Sequence, residues 1–255
     1  MPVIAVIHRA ASARAALRRG LGRRGTRMVN CRSLDQVSGL LQTEVVDAVI
    51  ADLRSDPQAV FGLIGLYPRI PIFALSAFRP DDGRILMACR RAGIQGIVVE
   101  GVDGAAGGEW IAARTASRRR RAALRDAATL LRLIEPLQVR IWEEVLLRVG
   151  TRSRTSDLAE ALGITREHLS REFAAGGAPN LKRVIDLSRI CCAADLLANP
   201  GYDVATVSRV LRYASPSHLA QASRRVTGVP PSELSRLGPR QVLFRFLRGR
   251  MRSRE

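Results

Sequence analysis

Short apolar runs alternate with longer stretches of helical periodicity through the first 113 residues. The longer stretches, which predict helices, are residues 12–21, 33–42, 57–66 and 81–92. The apolar runs have the length and composition of buried strands, and they are residues 3–7, 28–31, 48–51, 72–75 and 96–99. This alternation predicts a doubly wound parallel sheet with helices on both faces, because consecutive parallel strands need a right-handed crossover connection.

The second half of the chain has helical periodicity, and one pattern occurs twice within residues 155–237. Each copy is an apolar helix, a tight turn, a hydroxyl residue and a second helix. Thr165 and Ser215 are placed to accept a backbone N–H of the helix that follows, and Pro216 occupies a first helical position, where a missing N–H costs little. We therefore predict an all-helical domain with two helix-turn-helix motifs, whose second helices can lie in major grooves of DNA.

The connection between these halves, residues 108–135, is basic and rich in alanine, which favours a helix. We expect the last helix of the N-terminal half to continue into it, after a flexible turn at residues 104–108. The four arginines at residues 118–121 form either a solvated face or a contact with DNA phosphates. The predicted segments are residues 1–113, a linker at 114–135, a DNA-binding domain at 136–238 and a basic tail at 239–255.

The tail has the pattern of a basic amphipathic helix. Val242, Leu243, Phe246 and Leu247 fall on one face, and arginines occupy the rest. Such a helix can lie on nucleic acid or on an anionic membrane, or its apolar face can pack on the preceding domain. The pattern leaves these three alternatives open.

The repeated motif and the segment after it resemble the DNA-binding domain of the AraC/XylS family of bacterial transcription regulators. The residues that carry the resemblance outside the motifs are Arg189-Ile190, Ala193-Ala194 and Leu196-Leu197 in the linker helix, then Arg224-Arg225, Gly228, Pro230 and Arg236. Four positions depart from the family. Arg212 replaces a turn glycine, Ser208 replaces a small apolar residue, and Ser223 and Leu234 replace aromatic residues. The resemblance implies DNA binding, and the departures favour the first motif for base contacts.

The DNA-contacting residues implied by this resemblance face away from the apolar side of each second helix. They are Arg166, Glu167, Ser170 and Arg171 in the first motif, and Ser215, Ser217, His218, Gln221, Arg224 and Arg225 in the second. Arg171 is able to bind guanine, Glu167 cytosine and Gln221 adenine, whereas Arg224 and Arg225 are placed for phosphates. The alternative for Arg171 is a solvated surface side chain, and the alternative for His218 is a residue that packs at the domain boundary or faces a phosphate.

The charge distribution agrees with a polyanionic partner. The chain carries a formal net charge of +18, with Lys182 as its single lysine. Residues 1–115 have 15 basic and 10 acidic side chains, whereas residues 116–255 have 26 and 13. Concentrated positive charge in the C-terminal half favours binding to the phosphate backbone of double-stranded DNA.

The N-terminal half resembles the receiver domain of two-component response regulators, which has a flavodoxin-like fold. Asp52 follows the third strand, where receivers carry the phosphorylated aspartate, and Ser76 matches their switch residue. Receivers also need an acidic pair that holds Mg²⁺ after the first strand and a lysine after the fifth. This chain has His8 and Arg9 at the first place and Glu100 at the second. We therefore predict a pseudo-receiver with a vestigial phosphoacceptor and no metal.

The remaining features exclude several other classes of protein. The start lacks the pattern of a signal peptide, and no apolar run is long enough to span a membrane. No nucleophile elbow, metal cluster or phosphate-binding glycine loop indicates an enzyme or a cofactor. We predict a cytoplasmic transcription regulator that dimerises through its N-terminal half, with RNA polymerase as a further candidate partner. The alternatives are a phosphorylation-controlled response regulator and a protein-interaction module that has lost DNA specificity.

Overall fold

The computed structural model describes residues 1–22, 25–54, 56–151 and 155–252, with side chains up to residue 249. The end of the expected tail, residues 253–255, lies outside the described residues. The chain divides into two compact units. One comprises Met1–Arg119 and Asn199–Gly201, and the other comprises Arg120–Ala198 and Tyr202–Glu255.

The N-terminal unit is built on a five-stranded parallel sheet with the order β2-β1-β3-β4-β5. The strands are β1 Val3–Ile7, β2 Arg27–Cys31, β3 Ala48–Ala51, β4 Ile72–Ser76 and β5 Gly96–Val99. The helices are α1 Ala11–Leu21, α2 Leu34–Leu41, α3 Pro57–Leu66, α4 Gly83–Ala92 and α5 Gly104–Ala112. This arrangement confirms the predicted doubly wound, flavodoxin-like fold.

The core of this unit lies between the sheet and the helix pair α1 and α5. Ile4, Ile50 and Phe73 are fully buried from the central strands, and Leu17 and Ile111 cover them from the two helices. All residues of β3 and β4 are buried, because helices cover both faces of a parallel sheet.

Two expectations about the connection are wrong. Residues 104–108 are the start of α5 rather than a flexible turn, and their glycines let α5 approach α1 closely. A Cβ atom on Gly108 would lie 2.5 Å from the carbonyl oxygen of Leu17. Helix α5 also ends at Ala112 instead of continuing into the linker, because Asp47 binds the chain that follows. Its carbonyl accepts the N–H of Ala116 at 2.8 Å, and its carboxylate accepts the N–H of Ser117 at 3.1 Å.

The C-terminal unit is all-helical, as predicted. Its helices are α6 Ala116–Ala123 (which begins before the division), α7 Ala127–Leu130, α8 Pro136–Leu147, α9 Thr155–Leu162, α10 Arg166–Ala174, α11 Leu181–Leu197, α12 Val204–Val210, α13 Pro216–Thr227, α14 Pro231–Leu234 and α15 Pro239–Arg252, with a short 3-10 helix at Ala175–Gly177. Helix α11 is the centre of the unit, because it packs against α8, α10 and all of α12 to α15. From the arginine run, the buried Arg120 donates to Asp195 of α11 at 2.9 Å, whereas Arg118 and Arg119 are exposed.

The expected tail forms helix α15, which packs on α11 and α13. Val242, Leu243 and Phe246 are buried there, and the guanidinium of Arg183 lies 5.2 Å from the centre of the Phe246 ring. Of the three alternatives for the apolar face, packing on the domain is the one observed. Within the described part of the chain, no helix has the length and apolar character needed to cross a membrane.

Candidate nucleic-acid interface

The first helix-turn-helix motif is formed by α9 and α10. Gly163 adopts a positive φ of 67° in the turn between them, which a glycine does without strain. The hydroxyl of Thr165 accepts the N–H of His168 at 3.2 Å and so caps the start of α10, as predicted from the sequence. Leu169 and Phe173 are fully buried beneath α10. The opposite face of this helix is therefore the one presented to solvent.

The expected contact residues of the first motif lie on that solvent face. Arg166, Glu167, Ser170 and Arg171 are all exposed. The side chain of Arg171 is 77% exposed, and its Nε lies 3.8 Å from a carboxylate oxygen of Glu172. A surface ion pair of this length holds the side chain only weakly. Arg171 therefore keeps the reach and the donors that a guanine contact requires.

Gln138 fixes the position of α10, and the sequence-based interpretation did not identify it. Its side chain is fully buried, and its amide nitrogen donates to the carbonyl oxygens of Glu172, Phe173 and Ala175 at 3.0 to 3.2 Å. Its amide oxygen accepts the N–H groups of Ile134 and Glu135 at 2.9 and 3.1 Å. One side chain thus provides hydrogen-bond partners for the backbone N–H groups at the start of α8 and for the carbonyl groups at the end of α10. The sequence signal was a capping glutamine three residues after Glu135.

The second motif is formed by α12 and α13, and both helices are capped at their starts. The carboxylate of Asp203 accepts the N–H of Thr206 at 2.6 Å, and the hydroxyl of Ser215 accepts the N–H of His218 at 3.3 Å. Hydrogen bonds from the backbone and side chain of Thr206 lower the pKa of Asp203. The cap at Ser215 was predicted, and it repeats the geometry of Thr165 in the first motif.

The contact residues expected in the second motif are also presented to solvent. Ser217, His218, Gln221, Arg224 and Arg225 are exposed, and Ser215 is half-buried. Arg225 has a partner within the domain, because its guanidinium donates to the carboxylate of Asp186 on α11 at 2.6 Å. The Arg225 side chain is still 52% exposed. This pair fixes the guanidinium beside the end of α13 while leaving part of it accessible to a phosphate.

The departures of the second motif from the family pattern are accommodated by other contacts. Arg212 adopts a φ of 58°, so the turn keeps the left-handed backbone although it lacks glycine. Arg189 of α11 holds both sides of this turn. It donates to the carbonyl of Leu211 at 2.5 Å, and its guanidinium lies 3.8 Å from the ring centre of Tyr213. Burial raises the pKa of the Tyr213 phenol, which keeps this ring neutral under the guanidinium.

The two positions that lack the expected aromatic residues are also well packed. The fully buried hydroxyl of Ser223 donates to the carbonyl of Val229 at 2.7 Å, which ties the end of α13 to the segment after it. Leu234 is fully buried in α14. The second motif is therefore a complete folded unit within the domain.

In the N-terminal unit, Asp52 lies at the carboxyl end of β3, close to the imidazole of His8. Its Oδ1 accepts the hydroxyl of Ser76 at 2.7 Å and the N–H of Arg54 at 3.1 Å. The Nε2 atom of His8 lies 4.0 Å from Asp52 Oδ2 and 3.5 Å from Glu100 Oε2. An imidazole and a second carboxylate thus stand where a receiver has Mg²⁺ ligands and a lysine. Glu100 would repel a phosphoryl group on Asp52.

Comparison with known proteins bears on the C-terminal unit. A family model described as a helix-turn-helix domain matches residues 158–236, which span both motifs and α11 between them. This region is an AraC-type helix-turn-helix domain, as the sequence resemblance implied. No curated protein gives a significant match to the chain. The full-length FixJ protein of B. japonicum is similar in structure over 87% of this chain and 95% of its own, with 15% sequence identity and a TM-score of 0.38.

Proposed function

We propose that this chain, which carries an AraC-type helix-turn-helix domain at residues 158–236, is a sequence-specific DNA-binding transcription regulator. The proposal is supported by three features that helices α10 and α13 share. Helices α10 and α13 are each capped by a hydroxyl residue, each buries an apolar face, and each presents polar and basic side chains to solvent. Because α11 packs against both helices, it is able to hold them for insertion into adjacent major grooves.

In this proposal the two helices make different kinds of contact. Arg171 donates to guanine O6 and N7, Glu167 accepts from cytosine N4, and Gln221 pairs with adenine. Arg224 and Arg225 bind phosphates, and the exposed ends of the helices carry Arg166 and His218 towards the DNA backbone. Phosphate contacts fix the register of a protein on the duplex, whereas base contacts determine the sequence.

The proposal assigns the N-terminal unit a phosphorylation-independent regulatory role in a cytoplasmic homodimer, with RNA polymerase as a partner at the promoter. The positions of His8 and Glu100 beside Asp52 support the absence of phosphoryl transfer. If phosphorylation controls the protein instead, Asp52 must accept a phosphoryl group despite these neighbours. If it is a protein-interaction module, DNA retention will depend on salt and not on sequence.

The proposal is tested by selecting bound sequences from a random DNA pool with the full chain, and then measuring variants on the selected site. We expect Arg171→Ala to lose about 1–3 kcal/mol of binding free energy and to relax specificity at one base pair. Arg224→Ala should weaken binding evenly across sequences, because phosphates carry no sequence information. Fluorescence anisotropy at fixed salt measures both effects.

Arg140→Ala is the matched control, because Arg140 is an exposed arginine of α8 and lies outside both helix-turn-helix motifs. It should bind the selected site like the wild type, apart from a small uniform loss of charge attraction. If no sequence is enriched, or if Arg171→Ala and Arg140→Ala bind alike on every base at the site, the assignment is wrong.

A further inference from the structure

A cavity of about 860 Å³ opens at the carboxyl edge of the sheet in the N-terminal unit. Its walls come from the ends of β1, β2 and β3 and from the first turns of α2 and α3. In the sheet, β2 lies on one side of β1 and β3 lies on the other, so the strand order reverses at β1. Open parallel sheets bind ligands at such a reversal of strand order, and the volume is within the usual range of small-molecule sites.

Three arginines from different elements line this cavity. Arg9 follows β1, Arg14 belongs to α1, and Arg32 follows β2. Among the described residues, none of the three guanidinium groups has a carboxylate oxygen within 4.0 Å. Arg14 is fixed in place, because it donates to the carbonyl oxygens of His8 and Arg9. These cations therefore converge without neutralising partners.

The acidic residues of the same cavity already have structural roles. Asp52 accepts the hydroxyl of Ser76 and Asp56 accepts the N–H of Ala59 at 2.9 Å, which caps α3. Asp35 lies in the first turn of α2, where the helix dipole favours a negative charge. Burial raises the pKa of the Cys31 thiol, so this residue adds no charge. The cavity is thus lined by three carboxylates that accept hydrogen bonds or lie at a helix start, and by three guanidinium groups that have no carboxylate partner among the described residues.

His8 supplies a second, independent indication of a ligand. It lines the cavity, and its side chain is only 3% exposed. Its Nδ1 accepts the N–H of Ala10 at 3.2 Å, so Nε2 is the ring nitrogen that carries hydrogen. Within the described part of the chain, this Nε2 has no hydrogen-bond partner, and its nearest carboxylate oxygen is 3.5 Å away on Glu100. A buried donor without an acceptor is costly, and a bound oxygen would remove that cost.

We propose that this cavity binds a small organic anion. Its phosphate or carboxylate group lies among the guanidinium groups of Arg9, Arg14 and Arg32. An uncharged oxygen of the ligand, such as a hydroxyl, accepts from His8 Nε2, because the carboxylates of Asp52 and Glu100 beside this nitrogen would repel an anionic oxygen. Guanidinium forks suit both kinds of anion, because they donate two parallel hydrogen bonds to either. The cavity would thus connect the N-terminal unit to a metabolite instead of a phosphoryl donor.

Histidine NMR on the full chain tests this proposal, because the chain has three histidines and only His8 lines the cavity. The ring signal of His8, assigned with a His8→Gln variant, is followed during titration with inorganic phosphate, adenosine monophosphate and citrate at constant ionic strength. We expect a saturable shift of the His8 signal with at least one probe. The phosphate-bearing probes and citrate then decide between a phosphate ligand and a carboxylate ligand.

Arg32→Gln and, separately, Arg9→Gln should weaken the response about tenfold, since each removes a charge-assisted hydrogen bond. Arg19→Gln, at an exposed arginine of α1 outside the cavity, should leave it unchanged. A His8 signal that no probe moves overturns the proposal, as do shifts confined to His168 and His218 or equal affinities in all three variants. DNA binding is measured separately by anisotropy, so failure of this site and failure of the DNA-binding proposal are distinguishable.

Discussion

Gln138 is a buried amide on which two helix ends depend. Its nitrogen donates to three carbonyl oxygens at the end of α10, and its oxygen accepts from two N–H groups at the start of α8. Arg189 has a comparable role in the second motif, where it holds the turn around Arg212. In each motif a polar side chain from outside the motif holds either the end of the recognition helix or the turn before it.

Gln138→Glu should lower the free energy of unfolding of the C-terminal unit by about 2–4 kcal/mol. The change replaces the donor by an oxygen, which leaves the carbonyls of Glu172, Phe173 and Ala175 facing a buried carboxylate. Urea denaturation of the full chain measures the effect. Gln241→Glu is the matched control, because Gln241 is exposed and uses its side-chain oxygen as an acceptor for Gly238 N–H. Equal stability of the two variants would contradict the role given to Gln138.

Arg212→Gly should raise the stability of the second motif by about 0.5–1 kcal/mol. A side chain at a φ of 58° is strained, and glycine removes the strain at some cost in chain entropy. Thermal unfolding measures the change. The same substitution at the exposed Arg209, in the last turn of α12, should instead destabilise by up to about 1 kcal/mol. If both variants lose stability, the turn is not strained at Arg212.

At the scale of elements, the amphipathic patterns predicted the strands and most helices, because burial on one or both faces imposes a periodicity on the sequence. The paired caps at Thr165 and Ser215 were predictable for a similar local reason. Hydrogen bonds between residues that are distant in the sequence produce no periodic pattern, so they could not be predicted in this way. Asp47 binds the start of α6, where the predicted continuous helix is interrupted, through hydrogen bonds that cross about 70 residues, and Gln138 acts across 34 to 37. The exposed face of each recognition helix was predictable, but not the side chains that orient it.

The α1–α5 pair shows why glycine-rich sequence indicated a turn where a helix exists. Only glycine fits at positions 20, 107 and 108, because the neighbouring backbone or side chains leave no room for a Cβ atom. Local propensity favours a turn at such residues, whereas close packing between helices favours the helix. Packing prevails here, since both helices cover the same buried face of the sheet.

Gly108→Ala should therefore destabilise the N-terminal unit by about 1–3 kcal/mol, because the added methyl would lie 2.5 Å from the Leu17 carbonyl oxygen. Gly65→Ala in α3 is the matched control, since a Cβ atom there meets nothing within 4 Å. It should be neutral or stabilise by about 0.5–1 kcal/mol through helix propensity. Circular dichroism during thermal unfolding distinguishes the two. A Gly108→Ala protein as stable as Gly65→Ala would show that the helices separate easily.

At the scale of the molecule, the chain combines an N-terminal unit of flavodoxin-like fold with a C-terminal unit that carries most of the excess positive charge. His8 and Glu100 leave Asp52 without the Mg²⁺ ligands and the cation that phosphoryl transfer requires. If the N-terminal unit is regulatory, as proposed, its signal is then something other than a phosphoryl group. The cavity lined by Arg9, Arg14 and Arg32 is placed to receive one.

Acetyl phosphate with Mg²⁺ should neither add a phosphoryl group to the full chain nor change its DNA affinity. Intact-mass spectrometry and anisotropy measure the two results. The triple variant His8→Asp, Arg9→Asp and Glu100→Lys is the positive comparison, because it restores the residue types that receivers use, and it should become labelled. Labelling of the wild-type chain that disappears in Asp52→Asn would show that the receiver chemistry survives.

The contrast between Gly163 and Arg212 has a consequence for how the protein releases DNA. The first motif encodes its turn locally, whereas the second relies on Arg189 to impose the same backbone on an unfavourable residue. The left-handed backbone is unfavourable for an arginine, so the second turn should open at a lower free energy than the first. Gentle heating should therefore shorten the footprint on the promoter from one end before the complex dissociates, leaving a protein anchored by α10 alone.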